Sequence, residues 1–307
     1  MLIIVVVIVA YLIANNMSLM SNSPENEWIG ISLHSLSATE VQIVNASGAR
    51  WIRIDVFPGF EAAIKNAKAQ NLKVLAILDS WMFGQNTTFT LEEWHDNVTH
   101  YVSQYANDVD AWEIWNEPAS PNYTLSTEKY NSTENMSQIV EFYFSMVATA
   151  SPIIREYDPS AKIVLLGGLN LWSGDDPNLG LDKNFAQQLA DKDIEQYGDA
   201  ISVHAYPWME KIEPMIWEKY SDSMAFYREL YPSLEMWLTE TGYPIDFGGE
   251  SAQAQYMHDS LDYFEGKVTM LFWYSLMDNA WEDKSFGLID GDGTPRLAYY
   301  ELKNWLN

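Results

Sequence analysis

Ala111-Trp112-Glu113-Ile114-Trp115-Asn116-Glu117-Pro118 is the stretch from which the rest of the chain can be read. Aromatic and β-branched residues following Asp108-Val109-Asp110 predict a strand, and Pro118, which has no amide hydrogen to give a ladder, predicts its stop. Glu117 then falls at the strand's C-terminal end, behind an amide, Asn116, and a ring, Trp115. In a parallel barrel that end opens on the mouth, where the chemistry is kept. A lone glutamate there serves equally well as a cap for the next turn, so its meaning depends on its surroundings.

Working outward, strand and helix patterns alternate without a break. Strands are expected at Trp28–His34, Trp51–Phe57, Lys73–Ser80, the opening stretch, Lys162–Leu169, Ala200–Tyr206, Glu235–Thr241 and Val268–Ser275. Helices are expected at Thr39–Ala46, Glu61–Gln70, from Thr90 to about Ala106, at Met136–Tyr157, Asn184–Tyr197, Pro214–Leu230, Ala252–Phe264 and Leu297–Leu306. Thr90-Leu91-Glu92-Glu93 reads as a capping box. Strands this continuously apolar imply a parallel sheet buried on both faces, and with right-handed crossovers the economical closure is a (β/α)8 TIM barrel, of class α/β, over residues 25–307. The competitor, an open doubly wound sheet carrying a dinucleotide, would want a glycine-rich turn after strand 1. Ser35-Leu36-Ser37 stands there instead.

The chain has 307 residues, with 13 Trp and 18 Tyr, enough apolar material for one large core. Cysteine is absent, which removes disulfides and thiolate metal sites. A net charge of −26, with 17 Lys and Arg against 43 Asp and Glu, excludes nucleic acid as a partner. The uncharged run Leu2–Ala14 suits a signal peptide or membrane anchor within residues 1–20, with a polar linker after it. Sequons at Asn16, Asn45, Asn86, Asn97, Asn122, Asn131 and Asn135 point the same way, to a glycoprotein that is secreted or anchored at the cell surface, with membrane attachment through that segment. Three of these lie in Asn122–Ser137, read as a long surface loop.

At the predicted mouth, Arg53 and Asp55 share one parity on strand 2 while Ile52, Ile54 and Val56 share the other, so the polar pair should point inward. They could merely pair with each other. Ser202, His204 and Tyr206 share a face of strand 6, and Leu238-Thr239-Glu240-Thr241-Gly242 brings a second carboxyl group to the end of strand 7. Strand 8 carries Trp273, and its loop adds Asp278, Asn279 and Trp281. Asp290-Gly291-Asp292-Gly293 reads as a turn rather than a calcium loop. No His-X-His or His-Glu-X-X-His pattern occurs, so neither a catalytic metal nor any other cofactor is expected.

With these motifs in hand, Trp115-Asn116-Glu117-Pro118, His204-Ala205-Tyr206 and Leu238-Thr239-Glu240-Thr241-Gly242, the chain resembles the clan A retaining glycoside hydrolases. The closest pattern is that of the cellulases and mannanases of family five and their xylosidase-like relatives, across the barrel from Trp28 to Asn307. The resemblance implies Glu117 as acid/base and Glu240 as nucleophile. It implies Asn116 on the sugar 2-hydroxyl, Arg53 and Tyr206 bonded to Glu240, and His204 and Trp273 lining the sugar site. Family five usually has a further histidine near strand 3, where this chain has Asp79-Ser80-Trp81. His34 and Asp79 are the candidates to take its place.

The implied activity is double-displacement hydrolysis of a β-linked polysaccharide or oligosaccharide, expected to be an endo-β-1,4-glucanase or a related mannanase or xylanase. One carboxylate attacks the anomeric carbon and the other protonates the leaving oxygen. Trp81, Trp172, Trp208 and Trp281 follow strands and are candidate platforms for sugar faces. Two other classes share the barrel: a carbohydrate-binding surface protein without catalysis, and a metal-dependent hydrolase.

Overall fold

The computed structural model describes residues 27–35, 37–84, 88–120, 136–172, 179–208, 212–279 and 282–306. The N-terminal apolar run, the segment 121–135, Trp281 and the sequons at Asn16, Asn86, Asn122, Asn131 and Asn135 lie outside these residues. Among the described residues no helix is long and apolar enough to cross a membrane. Asn45 and Asn97, the two described sequon residues, sit on helices rather than loops. Both are half-buried, and the Asn97 side chain donates to Glu93 O at 2.9 Å.

Eight parallel strands close on themselves in chain order. They are β1 (Ile29–Leu33), β2 (Trp51–Asp55), β3 (Lys73–Leu78), β4 (Ala111–Ile114), β5 (Lys162–Asn170), β6 (Ala200–Ala205), β7 (Glu235–Thr241) and β8 (Met270–Trp273). Outside them pack α1 (Ala38–Ser47), α2 (Phe60–Ala69), α3 (Leu91–Tyr105), α4 (Met136–Tyr157), α5 (Leu179–Ala190), α6 (Met215–Leu230), α7 (Ile245–Phe264) and α8 (Leu297–Leu306). The capping box opens α3 as the sequence implies: Thr90 Oγ1 accepts from Glu93 N at 3.1 Å, and the Glu93 carboxylate accepts from Thr90 N at 2.7 Å. Trp94, Val98, Tyr101, Val102 and Tyr105 form its buried stripe, at helical spacing. A second box, Ser37 with Glu40, opens α1 and was not recognised in the sequence.

Two helices differ from expectation. The segment read as one helix over Asn184–Tyr197 is α5 ending at Ala190 and a separate 3₁₀ turn, Ile194–Tyr197, divided by Asp193 at φ 55°. The helix read from Ala252 begins at Ile245 and bends at Gly249, whose φ of 76° is outside the helical range. The Asp290–Gly293 stretch is a turn, with Asp290 Oδ1 accepting from the amides of Asp292 and Thr294.

Strand alternation divides the core in two. Ile29, Ile31, Ile52, Ile54, Val74 and Ala76 face outward against the helices. Inside, Trp51, Leu75, Ala111, Val164, Ala200, Trp237, Met270 and Phe272 plug the N-terminal end of the barrel, the large rings on β2, β7 and β8 facing the alanines of β4 and β6. Trp51 meets Trp237 and Phe272 edge-on at 5.7 and 6.3 Å. A Cβ on Gly30 would lie 2.5 Å from the Phe272 ring, so the ring fills what a larger residue would take. Above this plug the inward residues turn polar, and the functional groups stand on that layer.

Candidate active site

Arg53 is the hub, on β2 and 3 % exposed. Its Nε donates to Glu113 Oε2 at 2.6 Å, its Nη1 to Glu240 Oε1 at 2.6 Å and its Nη2 to Asn116 Oδ1 at 2.9 Å. The expected alternative, a simple Arg53–Asp55 pair, is replaced by this fork because Glu113, inward on β4, meets the guanidinium. Glu113 has no exposed surface, and its other oxygen accepts from Ser202 Oγ at 2.7 Å. Burial opposes any charge here, but the two carboxylates raise Arg53 above its ordinary range, so it stays cationic.

Glu240 points inward through a fault in the sheet. Val203 pairs with Leu238 and the next residue, His204, with Glu240, so Thr239 is the extra residue of a bulge. Both then reach the interior: Thr239 Oγ1 meets Ser202 and His204 Nε2, while Glu240 takes Arg53 on one oxygen and the Tyr206 hydroxyl, at 2.6 Å, on the other. Burial pushes the Glu240 carboxyl up. The positive charges of His204 and Arg53 and the bonds from Tyr206 and Arg53 outweigh it and hold it below the usual range.

Glu117 arrives by a different device. The opening stretch was expected to run as a strand to Pro118, but β4 ends at Ile114. Trp115 and Glu117 adopt left-handed φ of 67° and 43°, a conformation that costs side-chain-bearing residues of order 1–3 kcal/mol each. This turns Trp115 outward onto Trp94 and Phe89 and brings Glu117 to the mouth. The Glu117 amide donates to Gly167 O, and its Oε1 lies 2.9 Å from His204 Nδ1. Gly167 and Gly168 of β5 make room. A Cβ on Gly167 would come within 2.6 Å of Trp115 O, and one on Gly168 within 2.3 Å of the His204 ring. His204 itself is fully buried. Burial lowers it, but Glu240 and Glu117 more than compensate and raise it.

The Glu117 and Glu240 carboxylates and a His204 nitrogen all lie within 4.8 Å of one another. Such a trio is of a size to ligate a cation, yet Arg53 already sets a positive charge 2.6 Å from Glu240.

Around this centre Tyr274 stacks edge-on against His34 and Tyr206, at 5.3 and 6.2 Å, and its hydroxyl donates to Glu282. Trp208, 52 % exposed at φ 46°, tilts over Tyr206 at 5.3 Å.

No protein-family model matches this chain, and no curated protein matches it in sequence. Solved structures do share its fold. A family 39 glycoside hydrolase from Bacteroides cellulosilyticus WH2 superposes with a TM-score of 0.65 at 17% identity, over 91% of this chain and 63% of its own. A β-glucuronidase of Bacteroides uniformis gives 0.69 at 13%, over 92% and 35%. A β-galactosidase from the psychrophilic Marinomonas ef1 gives 0.63 at 15%, over 91% and 58%. The chain thus spans less than two thirds of each of these proteins.

Of the residues singled out in the sequence, Arg53, Asn116, Glu117, His204, Tyr206 and Glu240 come together. His34 lines the β1 side of the mouth, and Asp79, buried after β3, accepts from Trp81 N and lies close enough to Asp55 to feel its charge. Trp273 does not join them. It shares the outward parity of Leu271 and packs on Tyr256 of α7, with no exposed surface; Tyr274 is the ring at the mouth. Trp172 is likewise core, and Trp281 lies outside the described residues. Glu113, Thr239, Tyr274 and the glycine pair were missed. Glu113 alone left a signal, a charge inside an otherwise apolar strand.

Proposed function

We propose that this protein is a retaining β-glycosidase, with Glu240 as nucleophile and Glu117 as acid/base. The observation that supports it most is the carboxylate pair itself, one oxygen of each lying within 4.8 Å of the other, and asymmetrically dressed. Double displacement needs carboxyl groups about 5–5.5 Å apart, whereas inversion needs about 6.5–9.5 Å to seat a water. Only Glu240 carries an arginine and a tyrosine hydroxyl, which keep it ionised for attack on the anomeric carbon. Glu117 delivers the proton to the leaving oxygen, then, once esterification removes the charge on Glu240, takes one from water. Asn116, placed by Arg53, offers its amide to the sugar 2-hydroxyl, a bond that strengthens as charge builds at the anomeric centre. Trp208 supplies an exposed face for stacking a sugar ring. A β-1,4-linked glucan, mannan or xylan cut internally is the substrate proposed.

The test is turnover of aryl β-glycosides and of cellulose, mannan, xylan and β-1,3-glucan, with and without chelator. Hydrolysis that persists in chelator and vanishes in Glu240→Gln is expected. Loss in chelator with recovery on adding zinc would favour a metal at Glu117, His204 and Glu240. Carbohydrate binding without turnover would favour the non-catalytic class.

A Gly168→Ala variant should lose kcat/KM by about 10²-fold, because the new methyl displaces His204 and with it Glu117. Gly249→Ala is the control. It also has a positive φ, but nothing lies within 4 Å of its Cβ, so it should lower the melting temperature without moving kcat/KM.

A further inference from the structure

Beside the carboxylate pair, on the β2 and β3 side of the mouth, lies a cavity of about 400 Å³ lined by His34, Asp55, Phe57, Pro58, Trp81 and Gly84. Asp55 joins it to the reaction centre, being near enough to Arg53 and Glu240 to feel both charges. Its partner is another acid, Asp79, which is 6 % exposed. Two carboxyl groups bond to each other only when one keeps its proton. Burial first, then the charge of Asp55, holds Asp79 well above the usual carboxylate range, so Asp79 is the donor. Trp81 N donates to Asp79 Oδ1 at 2.9 Å and fixes that side chain. Burial raises Asp55 too, but His34 and Arg53 oppose it, so Asp55, which lines the cavity, is the member of the pair that carries the charge, with Asp79 buried behind it.

The other charges leave little for an anionic ligand. His34 Nε2 is 3.5 Å from a further acid, Glu282, and the donors of Arg53 go to Glu113, Glu240 and Asn116. Among the described residues no lysine or arginine lines the cavity. Hydroxyl groups would find acceptors there, and Trp81, Phe57 and Pro58 give an apolar wall for the C–H face of a pyranose.

We infer that this cavity seats an uncharged sugar unit of the substrate, and that the Asp55–Asp79 pair is a specificity determinant that rejects uronic acids. The inference rests on the glycosidase reading and narrows it. The β-glucuronidase that shares this barrel is named for a carboxylated sugar; this site is built for its neutral counterpart.

The experiment compares aryl β-glucoside with β-glucuronide and aryl β-galactoside with β-galacturonide, pairs that differ only at C6. The neutral member should be favoured in kcat/KM by at least about 10²-fold, the scale of a like-charge clash. Asp55→Asn/Asp79→Asn removes the charge at constant shape and should shift that ratio toward the uronide by about tenfold. Asp79→Asn alone keeps Asp55 charged and should leave the preference in place, which covers the case of an unstable double variant. Uronides cleaved as well as neutral sugars, or a ratio unmoved in the folded double variant, would overturn the inference and leave the glycosidase reading standing. Inert behaviour toward every neutral and uronic glycoside and polysaccharide would remove both.

Discussion

Replacing Arg53 by methionine should cost about 3–5 kcal/mol of stability at neutral pH, the usual penalty for stranding buried charge. Glu113 has no exposed surface and Glu240 only 7 %, and both would lose their 2.6 Å partner. The loss has a defined pH dependence. Wild-type Glu240 is held below its ordinary value, so its contribution is present above the unfolded value of about 4.5 and disappears as pH falls through the folded one. The gap between variant and wild type in urea unfolding should therefore be widest near neutrality and narrow in acid. The same change acts on catalysis. Without the guanidinium the Glu240 carboxyl rises, and the acidic limb of kcat/KM should move to higher pH. Arg53→Met/Glu113→Gln separates the two effects. It removes one stranded charge and should recover part of the stability, while the acidic limb stays displaced. An unmoved limb in that folded variant would make Arg53 structural only.

The parts of this molecule that were legible in the sequence are those written in local periodicity. The eight strand–helix units, the Thr90 capping box and the two glutamates near strand ends follow from apolar runs, turn residues and parity. Arg53 was legible as an inward residue because Ile52 and Ile54 mark the other face. Its partner was not, since Glu113 and Arg53 are sixty residues apart and meet only when the barrel closes. The left-handed turns at Trp115 and Glu117 depend on the space that Gly167 and Gly168 leave on β5, a long-range requirement with no signature inside the Trp-Asn-Glu-Pro stretch. The Thr239 bulge similarly sets both Thr239 and Glu240 inward where strict alternation would send one of them out. Trp273 was misplaced for the opposite reason. Leu271-Phe272-Trp273-Tyr274 is bulky throughout, so period-two patterning carries no parity, and only the register against Ile29 and Ile31 shows that Trp273 faces the helices.

Proximity alone does not divide the roles of Glu117 and Glu240, but the stereochemistry of rescue does. In Glu117→Ala, a substrate with an activated aryl leaving group needs no proton, so Glu240 can still attack and form the glycosyl-enzyme. Its breakdown is slow for want of a base, and an initial burst of aryl product should appear. Azide needs no base and would attack from the face that water uses, giving a β-glycosyl azide. In Glu240→Ala the nucleophile is gone, and turnover without azide should fall on the order of 10⁴- to 10⁶-fold. Azide in the vacated space beside Arg53 and Tyr206, the two groups that hold the native carboxylate, would attack the substrate directly and give the α-azide. Proton NMR distinguishes the products by the coupling at the anomeric position. Opposite configurations in the two variants are expected, β with Glu117→Ala and α with Glu240→Ala. A reversed pattern would move the nucleophile to β4 despite the arginine and tyrosine gathered on β7's glutamate.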